Sequence, residues 1–229
     1  MLAKLKSLIS LGILILVALL VRATIFQISL VPTGSMIPNL NIGDKTYVNK
    51  LYLGIQNPLY NASLKKKILF LIPNPLYNSS FILSKIKYIK RFKRQPKRFE
   101  VVVFFPPEKS VLGKVYYYQG DKNNSPIVFG KPGLIGESYV KRLIGLPGET
   151  IEIKKGDIYI NGAKLEEKQQ RNKDYFDFGP LEIPEGTYFM IGDNRPRSAD
   201  SRVWGVLPKE NILGNAVFIF WPFSAMKEL

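Results

Sequence analysis

The sequence predicts a mainly β domain carried behind one N-terminal membrane helix. Three observations lead there. Residues 7–26 form an apolar run about as long as a bilayer crossing needs. After residue 100 the chain breaks into short strand-like runs: FEVVVFF, SYVKRLIGL, GTYFMIG and NAVFIFWPF. Turn residues separate them, and no long helical periodicity intervenes.

At the N-terminus, Lys4 and Lys6 precede the apolar run, and Arg22 stands near its far end. A cleaved signal peptide also starts this way, but its best cleavage site, Val21-Arg22-Ala23, is poor. The anchor reading is preferred, since Arg22 can reach the headgroups along its own stem. The positive-inside rule then sets residues 1–6 in the cytoplasm, 7–26 in the membrane and 27–229 outside it.

Next comes VPTGSMIPNL, residues 31–40. On its own this is turn chemistry, and Ser35 is an ordinary turn serine or a nucleophile. Residues 57–97 stand apart. NPLYNAS at 57–63 recurs as NPLYNSS at 74–80, and each copy leads into an apolar, basic run. Between Asp44 and Glu100 there is no acidic residue, while 13 of the chain's 33 lysines and arginines fall there. With a net charge of +15, this segment is expected to be a basic, repeat-containing insertion.

The strands follow in order. FEVVVFF (99–105) reads as buried, and SYVKRLIGL (138–146) as a further strand. TIEIKKGDIYINGAKL (150–165) holds a Lys155-Gly156-Asp157 turn and then Asn161-Gly162, the strongest short hairpin signal. GTYFMIG (186–192) and NAVFIFWPF (215–223) complete the series.

Composition limits the chemistry. The chain has no cysteine and no histidine. Thiol catalysis, disulfides and Ser-His-Asp triads are excluded, as are histidine metal sites. If Ser35 is a nucleophile, its base is a lysine, a carboxylate or a tyrosine. A lysine base must be desolvated, because an exposed one stays protonated at neutral pH. Lys141 is the best candidate, inside a run with few polar neighbours; the competing reading is an edge-strand lysine facing water.

Four stretches, PTGSMIP (32–38), RFEVVVF (98–104), YVKRLIGLPGE (139–149) and GDNRPRSADSRVWG (192–205), resemble in this order bacterial type I signal peptidase, a membrane-bound serine protease of the Ser-Lys dyad class. The resemblance implies the β fold shared by signal peptidases and LexA-like self-cleaving repressors. It implies Ser35 as nucleophile and Lys141 as general base. It gives Thr33 an oxyanion-hole hydroxyl, beside the Ser35 amide, and gives Ser198 the task of orienting Lys141. Asp193 is implied to pair with Arg142, and Asp200 with Arg202. Where the family usually has Arg-Gly-Asp, this chain has Arg98-Phe99-Glu100. Residues 150–186 are short for the family's second subdomain, which is expected as a reduced β-hairpin unit.

The implied activity is removal of N-terminal signal peptides from secretory precursors at the bacterial cytoplasmic (inner) membrane. The substrate adds as a strand to edges near 28–34 and 137–141, with small residues at −1 and −3. No cofactor or metal is implied. The alternative is a Ser-Lys peptidase with a narrow substrate set, such as pilin or conjugation proteins. A self-cleaving repressor would carry a DNA-binding module that this chain lacks. Nucleic acid is not the expected partner of the basic charge. That charge lies beside the anchor and is interleaved with Ile, Leu and Phe, which suits an anionic phospholipid surface.

Overall fold

The computed structural model describes residues 2–57, 67–68, 72–73, 88–107, 138–169 and 171–229. Most of the basic insertion, including the second repeat copy, lies outside the described residues. The chain starts with α1 (Leu2–Thr24) and continues through β1 (Phe26–Leu30), β2 (Lys45–Asn49), β3 (Gly54–Gln56), β4 (Lys67–Ile68), β5 (Ile72–Pro73) and β6 (Tyr88–Arg91). It goes on with β7 (Val101–Phe104), β8 (Tyr139–Gly145), β9 (Thr150–Lys154), β10 (Asp157–Ile160), β11 (Ala163–Lys164), β12 (Phe178–Glu182) and β13 (Thr187–Ile191). The short helix α2 (Ser201–Trp204) precedes β14 (Leu207–Pro208), β15 (Ile212–Trp221) and β16 (Lys227–Glu228).

The helix expected at 7–26 runs instead from Leu2 to Thr24. Lys4 and Lys6 do not stop it, since lysine is a good helix former. It ends early because Phe26 is taken into the sheet, opposite Asn49. Among the described residues, no helix is long and apolar enough to cross a membrane.

The main sheet has the strand order β1-β2-β15-β7-β8-β13-β14, with β16 on β15. A four-stranded sheet, β11-β10-β9-β12, covers much of the segment expected at 150–186. The two sheets share a core. Ile151, Ile153 and Ile158 of the smaller sheet pack with Ile144, Phe189 and Ile191 of the larger. Both tight turns of the smaller sheet need positive φ, and Lys155-Gly156 and Asn161-Gly162 supply it.

The central strands are buried on both faces. In β7, Val101 and Val103 enter one cluster while Val102 and Phe104 enter another. In β13, Tyr188 and Met190 face the second cluster, and Phe189 and Ile191 a third. Their sequences therefore run apolar instead of alternating. Truncating one such side chain, Leu143→Ala for example, would cost about 2–5 kcal/mol.

The β7–β8 register places the candidate site. Val101 lies opposite Arg142, and Val102 opposite Lys141. On the other side, β13 pairs with β8 only from Arg142 onward, through Ile191. Just before β7, Phe99 holds φ at +71°, a left-handed conformation that glycine adopts freely and phenylalanine does not. Phe99 stands where the family pattern has glycine. Its amide donates to Leu143 O and its carbonyl accepts from Arg142, so the turn is tied to β8 on both sides.

Candidate active site

Ser35 sits on a single 3-10 turn, Gly34–Met36. Met36 is fully buried in the first cluster and fastens the turn to the sheet. Lys141 projects from β8 toward that turn. Its Nζ donates to Ser35 Oγ at 2.6 Å and to Val140 O at 3.1 Å. Lys141 is only 4% exposed, which rules out the water-facing reading. Burial strips the ammonium of water and pulls its pKa from 10.5 down to about 8. Asp200 and Asp193 pull it back up, and Arg202 adds to the fall.

Thr33 Oγ1 lies 3.4 Å from Ser35 Oγ. Thr33, Gly34, Ser35, Tyr139, Lys141 and Asn194 line one cleft of about 680 Å³. Val140 of β8 and Ser138 just before it extend the lining along the edge that β13 does not cover.

The two expected ion pairs are both present and buried. Arg142 grips Asp193 with two parallel bonds, Nε to Oδ1 at 2.8 Å and Nη2 to Oδ2 at 2.7 Å. Asn39 adds a third donor to Asp193 Oδ2 at 2.8 Å. Arg202 bonds Asp200 through Nε at 2.9 Å and Nη2 at 3.0 Å, and Gly192 N–H also donates to Asp200. Burial alone would raise the Asp200 pKa. The Arg202 charge and hydrogen bonds and the Gly192 amide outweigh it and hold the acid below its usual range.

Ser198 departs from the expectation. Its Oγ is buried and makes no well-formed hydrogen bond, though it lies close enough to Asp200 to help hold that acid down. The donor bonds of Lys141 go to Ser35 and Val140 instead. Ser198 is held against Gly192, where an added Cβ would stand 2.2 Å from Ser198 Oγ and 2.5 Å from Ser35 O. Only a glycine lets the strand end, the Ser198 loop and the nucleophile's backbone meet this closely.

Sequence reasoning missed the residues that hold the Gly192–Arg202 segment from outside. Asp174 accepts from Arg202 Nη1 at 2.6 Å. Glu167 pairs with Arg195 and Arg171. Asn172 N–H donates to Asp193 O at 3.0 Å, and Asn194 reaches back to the nucleophile turn. The loop that provides Glu167, Asn172 and Asp174 has no periodic pattern, so only the general excess of polar residues marked it.

Residues 4–221 match the family described as "Signal peptidase, peptidase S26". The chain belongs to that family. It is 28% identical over 220 residues to a signal peptidase I of Leptolyngbya laminosa, covering 96% of this chain and 81% of the relative. It is 30% identical over 227 residues to a signal peptidase I of Bacillus licheniformis, covering 94% and 88%. A crystal structure of a signal peptidase I from Enterococcus faecalis V583 aligns at TM-score 0.38 and 32% identity, covering 54% of this chain and 98% of that one. The relatives named are each described as a signal peptidase I, and the narrow-substrate alternative is not favoured.

Proposed function

We propose that Ser35 and Lys141 are the catalytic pair with which this signal peptidase cleaves N-terminal signal peptides from secretory precursor proteins. The observation that carries the reading is the buried 2.6 Å contact between Lys141 Nζ and Ser35 Oγ at the floor of an open cleft. A lysine with its pKa near 8 supplies a neutral amine at working pH. Neutral Lys141 takes the Ser35 proton as Oγ attacks the scissile carbonyl. Thr33 Oγ1–H and the Ser35 amide hold the oxygen that gains the charge. The C–N bond then breaks, and Lys141 returns the proton to the leaving amine. This leaves an acyl ester on Ser35. Lys141 next deprotonates a water, which attacks the ester; the proton passes to the departing Ser35 Oγ, and the signal peptide leaves as an acid that ionises to its carboxylate.

The substrate pairs with the uncovered stretch of β8 at Tyr139–Lys141 and with the residues before Ser35. Small side chains at −1 and −3 suit this close approach. Arg142–Asp193 and Arg202–Asp200 hold the frame. Ser198 orients Lys141 as the substrate enters.

α1 is the membrane anchor, with the N-terminus cytoplasmic and the catalytic domain at 27–229 outside. Its 23 residues give about 34 Å of helix, and Leu8, Leu11, Leu14 and Leu16 stand exposed among the described residues. The case rests on the whole of its sequence, Leu5 and Leu19 included. Exposed Trp221, Phe223 and Met226 beside β15 suit the same bilayer, and the insertion at 57–97 suits its anionic headgroups. The test is cleavage of a precursor by the detergent-solubilised chain. Ser35→Ala and Lys141→Ala should fold and be inactive, and near-normal turnover by either would end the dyad reading.

A further inference from the structure

Asn194 lines the same cleft as Ser35 and Lys141, and it holds the nucleophile turn at two points. Its backbone N–H donates to Ser35 O at 3.0 Å, and its side-chain Nδ2 donates to Gly34 O at 2.9 Å. The same Gly34 carbonyl also accepts, at 3.3 Å, from Ile37 N–H. Gly34 C=O and Ser35 N–H belong to one peptide unit. That unit is planar and trans, so the two groups point in opposite directions. A donor that fixes the direction of Gly34 O therefore fixes the opposite direction of Ser35 N–H. A carbonyl that accepts a hydrogen bond also makes the N–H of its own peptide a stronger donor.

The Asn194 side chain is itself held. Its Oδ1 accepts from Asn172 Nδ2 at 3.2 Å, which leaves Nδ2 facing Gly34. Asn172 N–H donates to Asp193 O, and Asn172 O accepts from Arg195 N–H at 3.2 Å. Asn194 is 6% exposed, so water does not readily replace its amide. The chain Asn172 to Asn194 to the Gly34–Ser35 peptide thus ends at the amide that must meet the developing oxyanion. From this geometry we infer that Asn194 is a positioning residue for the oxyanion hole, aiming and strengthening the Ser35 N–H, with Asn172 setting the direction of its amide. The inference rests on Ser35 as nucleophile.

Asn194→Ala removes the Nδ2 donor and keeps the backbone bond to Ser35 O. Complete loss of an oxyanion donor lowers kcat about 10²–10³-fold. Here the donor is loosened, not lost, so a fall of about 10-fold is expected. KM should stay within about twofold, because the ground-state carbonyl does not use the donor fully. The midpoint of the pH profile should also stay put, since Lys141 is untouched. A peptide aldehyde ending in alanine supplies a second readout. Ser35 Oγ adds to the aldehyde carbon and the carbonyl oxygen becomes an oxyanion analogue, so its inhibition constant should rise by about the factor lost in kcat. Binding of the matching uncleavable peptide should not change. Asn172→Ala should show the same pattern at a few-fold size, and it serves alone if Asn194→Ala does not fold.

All assays use the full chain in detergent with a precursor substrate. Unchanged kcat in both variants overturns the inference. So does a loss shared equally by substrate, aldehyde and uncleavable peptide, which would mean a merely displaced turn. Ser35→Ala separates this failure from that of the parent reading: a Ser35→Ala enzyme that still cleaves removes the dyad itself, whereas an inactive one beside a fully active Asn194→Ala removes only the role of Asn194.

Discussion

Replacing Lys141 by methionine should abolish cleavage and stabilise the protein at neutral pH. Methionine keeps the length of the side chain and removes the charge. The unfolded chain holds the lysine proton up to its ordinary 10.5, and the native state releases it near 8. Between these values the unfolded state binds more protons, so wild-type stability rises with pH across that window. Below about 8 both states are protonated, and the full cost of burying the cation is present. A gap of about 2.5 pKa units corresponds to a cost on the order of 3 kcal/mol. Methionine removes that cost but leaves Ser35 Oγ and Val140 O without the Nζ donor, a loss of about 1 kcal/mol each. Both lie on the cleft, where water offsets part of it. The net gain should be about 1–3 kcal/mol at pH 7, or roughly 3–10 °C in Tm for a chain of this size. Thermal unfolding of the full chain in detergent at pH 7 and at pH 10.5, with a precursor assay beside it, reads all three quantities. The variant should be inactive throughout, more stable than wild type at pH 7, and lose that advantage by pH 10.5. Lower stability at pH 7, an advantage that does not shrink with pH, or retained cleavage would each refute the argument.

Wild-type activity should follow the same group: roughly a tenth of Lys141 is neutral at pH 7 and nine-tenths at pH 9, so turnover should climb several-fold with a single-proton slope, and a flat profile would point to a different base. Gly192→Ala should fold yet lose about 100-fold in kcat, because its Cβ would push on Ser35 O at 2.5 Å; unchanged kinetics would show that the turn yields freely. Arg142→Met leaves Asp193 buried without its two guanidinium bonds, and denaturant unfolding should show a loss of about 3–5 kcal/mol. Ser198→Ala should lower kcat far more than it lowers Tm; equal kinetics would take Ser198 out of the site. Deleting 58–87 should leave cleavage of a short soluble peptide intact and weaken dependence on anionic lipid, measured in vesicles of defined charge.

The legible strands were those whose local chemistry and tertiary role agree. FEVVVFF and GTYFMIG become β7 and β13, buried on both faces, so a continuous apolar run is what their places demand. Asn161-Gly162 reads as a hairpin and makes one, since its two positive φ values are a property of the turn alone. β12 was not legible. Its sequence FGPLE holds glycine and proline, which argue against a strand. It pairs with β9 only across a register shift between Phe178 and Leu181, which accommodates both. β1 and β2 were hard to see for another reason. They are short, and β1 follows the apolar helix with no break in hydropathy.

The site divides along the same line. Residue types alone reduced the bases available to Ser35 and made Lys141 the best of them, but burial could not be read from its neighbours. It depends on Lys141 lying opposite Val102 and on a turn 106 residues earlier reaching its Nζ. Distance in sequence is not the whole difficulty, because Asp193–Arg142 was anticipated across 51 residues. What separates that pair from Asn172 and Asp174 is the family resemblance, whose matched stretches hold Arg142 and Asp193 but neither Asn172 nor Asp174. An asparagine can donate or accept anywhere, and nothing in its surroundings in the sequence says that its amide faces a particular carbonyl. Phe99 shows the converse. The sequence flagged it as a departure from glycine, and its φ of +71° shows the backbone keeping the glycine conformation with a side chain that disfavours it. The bonds from Phe99 to Leu143 and Arg142 hold that conformation, and they join the turn to the same arginine that fixes Asp193. The strain therefore sits inside the frame of the proposed catalytic pair, one ion pair away from the segment that supports Ser35.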